Sequence, residues 1–204
     1  MGFNNMWEIE SQCISDGHTP LCGVDEAGRG ALAGPVFAAA VILPYGMDIK
    51  HLNDSKTLSA KVRDTLYDII IKEANDYGIA FATHDEVDDL NVLNATYIAM
   101  NRAIENLRTC PPAMALVDGN RNKGISISSM CIIDGDKRSA SIAAASILAK
   151  VSRDRHMIKL AGKYPCYGFD KHKGYGTKAH YDMLFAHGVS EVHRRTFLKK
   201  TKLL

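Results

Sequence analysis

The chain has 204 residues, 46% apolar and 24% charged, which is enough for one domain with a full core. No apolar run approaches the roughly 20 residues that a bilayer crossing needs. Met1 to Gln12 carries Glu8 and Glu10 and no basic residue, so a signal peptide is not expected and the cytoplasm is the expected compartment. The net charge of +2 is unevenly placed: from Lys150 onward there are 13 Lys/Arg against 4 Asp/Glu, and before it 12 against 19. That division suits an acidic site beside a surface for a polyanion, or else a plain solvated basic tail.

In chain order, Leu21 to Asp25 reads as a short buried strand. After a glycine-rich turn, Val36 to Leu43 reads as a second strand stopped by Pro44, and so short a connection predicts an antiparallel hairpin. Leu58, Val62, Leu66, Ile69 and Ile70 fall at helical spacing behind Ser59, a suitable N-cap, with Gly78 ending the segment. Ile79–Ala82 predicts a third strand. The acidic group Asp85, Glu86, Asp88 and Asp89 fits the start of a helix, where the dipole favours negative charge. Tyr97, Met100, Ile104 and Leu107 form the stripe of another helix. Met114–Val117 predicts a fourth strand running into Asp118, and Ile125–Ile133 a fifth. Ser139 to about Lys159 predicts a long helix whose many Ala and Ser residues allow close packing on a sheet. Tyr164–Tyr175 reads as loop, and Thr177–His187 as a short helix closed by Gly188. The pattern is a mixed α/β sheet flanked by helices. Residues 1–160 would form the main domain and residues 161–204 a C-terminal helical appendage. Five scattered cysteines without a C-x-x-C pair read as reduced thiols, mostly small buried side chains.

The informative acids stand at strand ends. Asp25 and Glu26 close the first strand, Asp118 the fourth, and Asp136 follows the fifth after Gly135. Adjacent strand residues point to opposite faces, so Asp25 and Glu26 share a site only if the strand ends there, as Ala27-Gly28 suggests. Strand ends gather at one edge of an open sheet. Four carboxylates brought together repel unless cations neutralise them, and all-oxygen ligands favour Mg²⁺ or Mn²⁺ over zinc. Two such ions can flank a phosphodiester, one activating water and the other stabilising the leaving oxygen. Any one of these acids alone would be an ordinary turn residue.

Gly28-Arg29-Gly30-Ala31-Leu32-Ala33-Gly34 also meets a loose dinucleotide-binding pattern. That alternative, an oxidoreductase, needs a helix after the loop and a ribose-binding acid about 20 residues on; Pro35, Pro44 and the loop setting of Asp48 and Asp54 speak against it. The other reading uses the same glycines to bring backbone groups against a nucleic acid, where they can bond a ribose 2′-hydroxyl, with Arg29 on a phosphate.

Gly23-Val-Asp25-Glu26-Ala-Gly28-Arg29-Gly30 resembles the signature of the ribonuclease HII family. Further blocks agree in order: Asn53-Asp-Ser-Lys56, Val117-Asp118-Gly-Asn120, Gly135-Asp136, Ala143 to Arg155, Tyr167-Gly-Phe, His172-Lys-Gly-Tyr175-Gly-Thr177 and His193-Arg-Arg195-Thr-Phe197. The resemblance spans roughly Leu21 to Phe197. It implies an RNase H-like fold and an endoribonuclease that uses two Mg²⁺ or Mn²⁺ ions. The substrates it implies are RNA–DNA hybrids and duplex DNA containing single ribonucleotides, cut 5′ of the ribonucleotide to leave 3′-hydroxyl and 5′-phosphate ends. It implies Asp25, Glu26, Asp118 and Asp136 as metal-binding carboxylates, with Gly28, Arg29, Gly30 and Tyr175 reading the RNA-to-DNA junction. Lys56, Lys150, Arg153 and Lys173 are expected at phosphates. Asp154, beside Arg153 and Arg155, is expected in an ion pair or supporting role. Two departures stand out: Ala31 where the family often has proline, and Asp134, which adds charge near the proposed site. A non-catalytic nucleic-acid-binding domain of the same fold is the remaining alternative, although all four carboxylates are present. Nothing demands a second subunit, and a monomer is expected.

Overall fold

Strands covered on both faces must be apolar on both, and the first two obey this: Leu21–Ala27 (β1) and Val36–Ile42 (β2) are almost wholly buried. They pair antiparallel, as the short connection predicts, with Asp25 opposite Ala39 and Glu26 opposite Ala38. The structure is a computed structural model in which residues 6–48, 52, 58–109, 111–199 and 201 are described. Asp76–Ala82 (β3) adds antiparallel to β2. Met114–Asp118 (β4) pairs parallel with β1, and Ser129–Ile132 (β5) parallel with β4. The sheet order is β3-β2-β1-β4-β5.

The helices are Glu8–Ser15 (α1), Ala60–Glu73 (α2), His84–Leu90 (α3), Val92–Glu105 (α4), Ala140–Lys163 (α5), Phe169–His172 (α6), Lys178–His187 (α7) and Arg195–Leu198 (α8). Alternation along the strands splits the core into two layers. Ala39 and Val41 pack with Leu66 and Ile70 of α2 and with the alanines of α5. Cys22, Val24, Ala38 and Ala40 pack with Ala95, Ala99 and Ala103 of α4 on the other face. The small residues of α5 have the expected consequence. A Cβ on Gly23 would lie 2.0 Å from the Ser141 carbonyl carbon, so helix and strand meet backbone to backbone.

Several expectations need correction. The first strand does not stop at Asp25–Glu26 but continues to Ala27. Gly78 lies inside β3; its missing side chain admits the Ala103 carbonyl of α4, 2.0 Å from where a Cβ would be. The fifth strand is shorter than Ile125–Ile133. The segment 164–175 is not all loop: it holds a 3-10 turn at Pro165–Tyr167 and the short α6. Val62 and Ile69, placed on the buried stripe of α2, are exposed by more than a third. Among the described residues, Cys13, Cys22, Cys131 and Cys166 are free thiols; the first two are buried and Cys166 is exposed. Asn53 to Lys56 and Cys110 lie outside the described residues.

The C-terminal segment packs back onto the glycine turn. Leu32 and Ala33 enter an apolar cluster with Met157, Tyr167, Phe169, Leu184 and Leu198. Bridges join Ala31 to Tyr175 and Ala33 to His193. α1 has a role that the sequence does not reveal. Its buried Glu10 accepts hydrogen bonds from Ser139 Oγ at 2.7 Å and Ser141 N at 3.1 Å, and so caps the N-terminus of α5.

Candidate active site

Parallel neighbours end on the same side of a sheet. The β1–β4 register pairs Val24 with Val117, so the next step along each strand sets Asp25 beside Asp118. Asp25 points toward α5, where Ser146 hydrogen-bonds it. Its sequence neighbour Glu26 points the other way. Both nevertheless line one cleft of about 420 Å³, because that cleft opens over the strand ends rather than over one face. Asp118, Gly28, Arg29, Gly30 and Tyr175 line it as well, with Lys150 and Ser146 of α5. Three of the four expected carboxylates, the glycine loop and Tyr175 therefore share a wall.

The electrostatics are those of crowded acids. Asp25 is only 6% exposed; burial first, then the charges of Glu26 and Asp118, hold its carboxyl well above the usual range. Burial also raises Glu26, against the lowering pull of Arg29, whose Nη1 donates to Glu26 Oε1 at 3.1 Å. Asp118 is positioned by the turn after β5: the Gly135 N–H donates to its Oδ1 at 2.7 Å. A side chain at 135 would stand 3.1 Å from that oxygen and 2.7 Å from Ile142 Cδ1, which explains the glycine before Asp136. Asp136 itself is 2% exposed, buried in the 3-10 turn Gly135–Lys137 next to Asp118, and is not among the residues lining the cleft.

The donor set fits a hard divalent cation. It is all oxygen, it is crowded, and two members resist ionisation until positive charge arrives. Among the described residues no three His, Cys, Asp or Glu side chains stand close enough to hold an ion by themselves. Mg²⁺ ordinarily keeps several waters and shares its coordination with substrate phosphate, so a partial protein shell is consistent with it.

The basic residues divide. Lys150 lines the cleft and pairs with Asp154 at 2.8 Å, the ion-pair role expected for Asp154. Arg153 is a correction: it is fully buried, and its guanidinium donates to the carbonyls of Pro35 at 3.0 Å, Lys173 at 2.9 Å and Ala33 at 3.2 Å. Its work is to hold the loop, and its burial keeps it from a phosphate. Gly28 belongs to this arrangement, with φ of +99° and Arg153 Nε 1.9 Å from where a Cβ would stand. Lys173 donates its ammonium to the Asp170 carbonyl and does not line the cleft. Asp134 is exposed and pairs with Lys137. Lys56 lies outside the described residues. Sequence reasoning missed Ser146, Arg63 on the cleft wall, and Arg194. Buried Arg194 donates to Gly34 O at 2.9 Å and Arg29 O at 2.9 Å. The dinucleotide alternative fails on topology, since Gly34-Pro35 opens into strand β2 and not a helix.

The family model for ribonuclease HII matches residues 22–200. A ribonuclease HII of Caldicellulosiruptor bescii is 49% identical over 195 residues, covering 96% of this chain and 94% of its own length. One of Burkholderia vietnamiensis is 53% identical over 177 residues, covering 87% and 82%. The crystal structure of the ribonuclease H2 from Pyrococcus horikoshii superposes with a TM-score of 0.72 at 27% identity, covering 86% of this chain and 92% of that one. The five-stranded mixed sheet with helices on both faces is thus the RNase H-like fold, and the chain belongs to the ribonuclease HII family.

Proposed function

We propose that this cleft hydrolyses the RNA strand of RNA–DNA hybrids and cuts at single ribonucleotides in duplex DNA, with Asp25, Glu26, Asp118 and Asp136 arranged around two divalent ions, Mg²⁺ or Mn²⁺. The observation that carries the reading is the meeting of Asp25, Glu26 and Asp118 in the same cleft as the glycine loop and Tyr175. When bound, the ions supply an activated water and charge for the departing 3′-oxygen. The chain's own groups do the rest. Ser146 orients Asp25 and the Gly135 N–H orients Asp118. The backbone of Gly28–Gly30 meets the ribose 2′-hydroxyl, which DNA lacks. The Tyr175 ring stacks on the following deoxyribose, where a 2′-hydroxyl would intrude. Arg29 and Lys150 contact phosphates in this reading, and Lys56 and Lys173 are assigned the same kind of contact. Residues 161–204 act as the substrate-binding appendage. The scissile bond lies 5′ of the ribonucleotide, leaving 3′-hydroxyl and 5′-phosphate ends. Such an activity serves ribonucleotide excision in DNA repair. We place the protein in the cytoplasm as a monomer; among the described residues no helix is long and apolar enough to cross a membrane.

The test is a labelled duplex with one embedded ribonucleotide, incubated with Mg²⁺ or Mn²⁺ and then with EDTA. A single cut on the 5′ side that EDTA abolishes is the expected result. A duplex bound but left intact with either ion, or cut equally well in EDTA, would overturn the proposal.

A further inference from the structure

Three histidines lie behind Tyr175, away from the carboxylates, and the mechanism above does not use them. Their hydrogen bonds fix where each proton sits. The Ser190 backbone N–H donates to His193 Nδ1 at 3.1 Å, so that nitrogen presents its lone pair and the ring proton is on Nε2. Ser190 Oγ stands 2.7 Å from the same nitrogen. His180 Nδ1 lies 3.0 Å from the Tyr175 carbonyl oxygen, which can only accept, so Nδ1 carries the proton and Nε2 the lone pair. The two Nε2 atoms are 3.0 Å apart, one a donor and the other an acceptor. The chain of bonds closes only if both rings are neutral. His172 stacks on His180 with ring centroids 4.3 Å apart and bonds Tyr167 O and the Gly174 N–H. The Tyr175 carbonyl also accepts the Thr177 N–H at 2.8 Å, which completes its two lone pairs. Arg194, which follows His193 in the chain, holds the other half of the reading surface: it donates to Arg29 O and Gly34 O through its side chain and to Leu32 O, at 2.8 Å, through its backbone.

We infer that His193 and His180 form a neutral imidazole relay which, together with Arg194, sets the spacing between Tyr175 and the Gly28–Gly30 loop, making the three residues positioning residues for discrimination of the RNA-to-DNA junction. The inference rests on the reading that Tyr175 and the loop meet that junction. A relay of this kind acts on one substrate class more than another. A long hybrid offers many ribonucleotides and many registers, whereas a single embedded ribonucleotide offers one, so a displaced Tyr175 costs most on the second.

The experiment compares kcat/KM on a duplex with one ribonucleotide and on a long RNA–DNA hybrid, for the wild type and for variants shown to be folded by thermal unfolding. Asn can place a donor where His Nδ1 stands; Gln reaches instead toward Nε2. His180→Gln is expected to lower the ratio of the two kcat/KM values by about 10-fold or more, since a misplacement of about 1 Å can cost that much. His180→Asn, which keeps the donor to the Tyr175 carbonyl but loses the acceptor for His193, is expected to lower it as well. Combining His180→Gln with Tyr175→Ala should lower the ratio no further than Tyr175→Ala alone. Equal loss on both substrates, or a wild-type ratio in His180→Asn, would overturn the relay. If Tyr175→Ala itself leaves the ratio unchanged, the junction reading fails, and the relay with it. If Tyr175→Ala lowers the ratio while His180→Gln does not, only the relay fails. Should the variants not fold, nitrogen-15 spectra of the wild-type histidines decide: protons on His180 Nδ1 and His193 Nε2 support the relay, and any other pair of tautomers refutes it.

Discussion

At the scale of single residues, the acids of the cleft oppose stability in order to serve chemistry. Asp25 is buried beside the like charges of Glu26 and Asp118, while Arg29 offsets the charge of Glu26. Replacing Asp25 by Asn keeps the shape and removes the repulsion. The expected outcome is a loss of hydrolysis of at least about 100-fold, hybrid binding retained in an anisotropy titration, and a raised midpoint of thermal unfolding in EDTA. Asp118→Asn should abolish cleavage in the same way; near-normal turnover by either variant would remove these residues from the machinery. Gly135→Ala tests the support of Asp118. The added methyl meets Asp118 Oδ1 at 3.1 Å and Ile142 Cδ1 at 2.7 Å, so denaturant unfolding should show a loss of ~1–3 kcal/mol together with reduced cleavage. The acids were legible in the sequence because a strand pattern followed by Asp-Glu or Asp-Gly marks an edge. Arg153 was misread, because a basic residue on a long helix gives no sign of which carbonyls it faces. Arg194 gave no local signal, since its partners lie some 160 residues away in the chain, and nothing in the pattern around His180 showed that its ring would be buried against Tyr175 and His193.

At the scale of elements, alternation decided more than expected. β1 runs past its two acids to Ala27, yet both reach one cleft, because the strand's partner β4 ends level with Asp25 and leaves the space beyond open to both faces. Helices with strong caps were read well: Ser59, Ser139 and Thr177 each accept from the backbone N–H three residues on. Gly78 was taken as a helix terminator, but it is a packing glycine in mid-strand, and only the tertiary contact with α4 reveals the difference. The short α3 offers a clean energetic test. Thr83 and Glu86 form a reciprocal capping box, and Glu86 also holds Arg102 of α4 at 2.7 Å. Thr83→Ala should cost about 1 kcal/mol in chemical denaturation and leave kcat on a hybrid unchanged; an effect on turnover would tie this helix to the site.

At the scale of the whole molecule, the C-terminal segment imports histidines that resist protonation. Burial pushes His180 and His193 each down to about 4, with His172 and, for His193, also His84 adding repulsion. Their unfolded counterparts titrate near 6.5. The unfolded chain therefore takes up the protons first, and stability present above pH 6.5 is lost as pH falls toward 4. Denaturant midpoints measured from pH 7.5 to 4.5 should decline over that window, and His193→Gln should flatten the decline; an unchanged slope would separate these rings from the acid limb. The same segment bears on synthesis. Residues 29 to 34 are held in part by carbonyl bonds to Arg194, about 160 positions later. A ribosome can finish the five-stranded sheet and its covering helices while the substrate-contacting turn still lacks its clasp. The turn's last supports are thus the latest part of this sequence to be made, so the loop would be completed after the sheet that carries it.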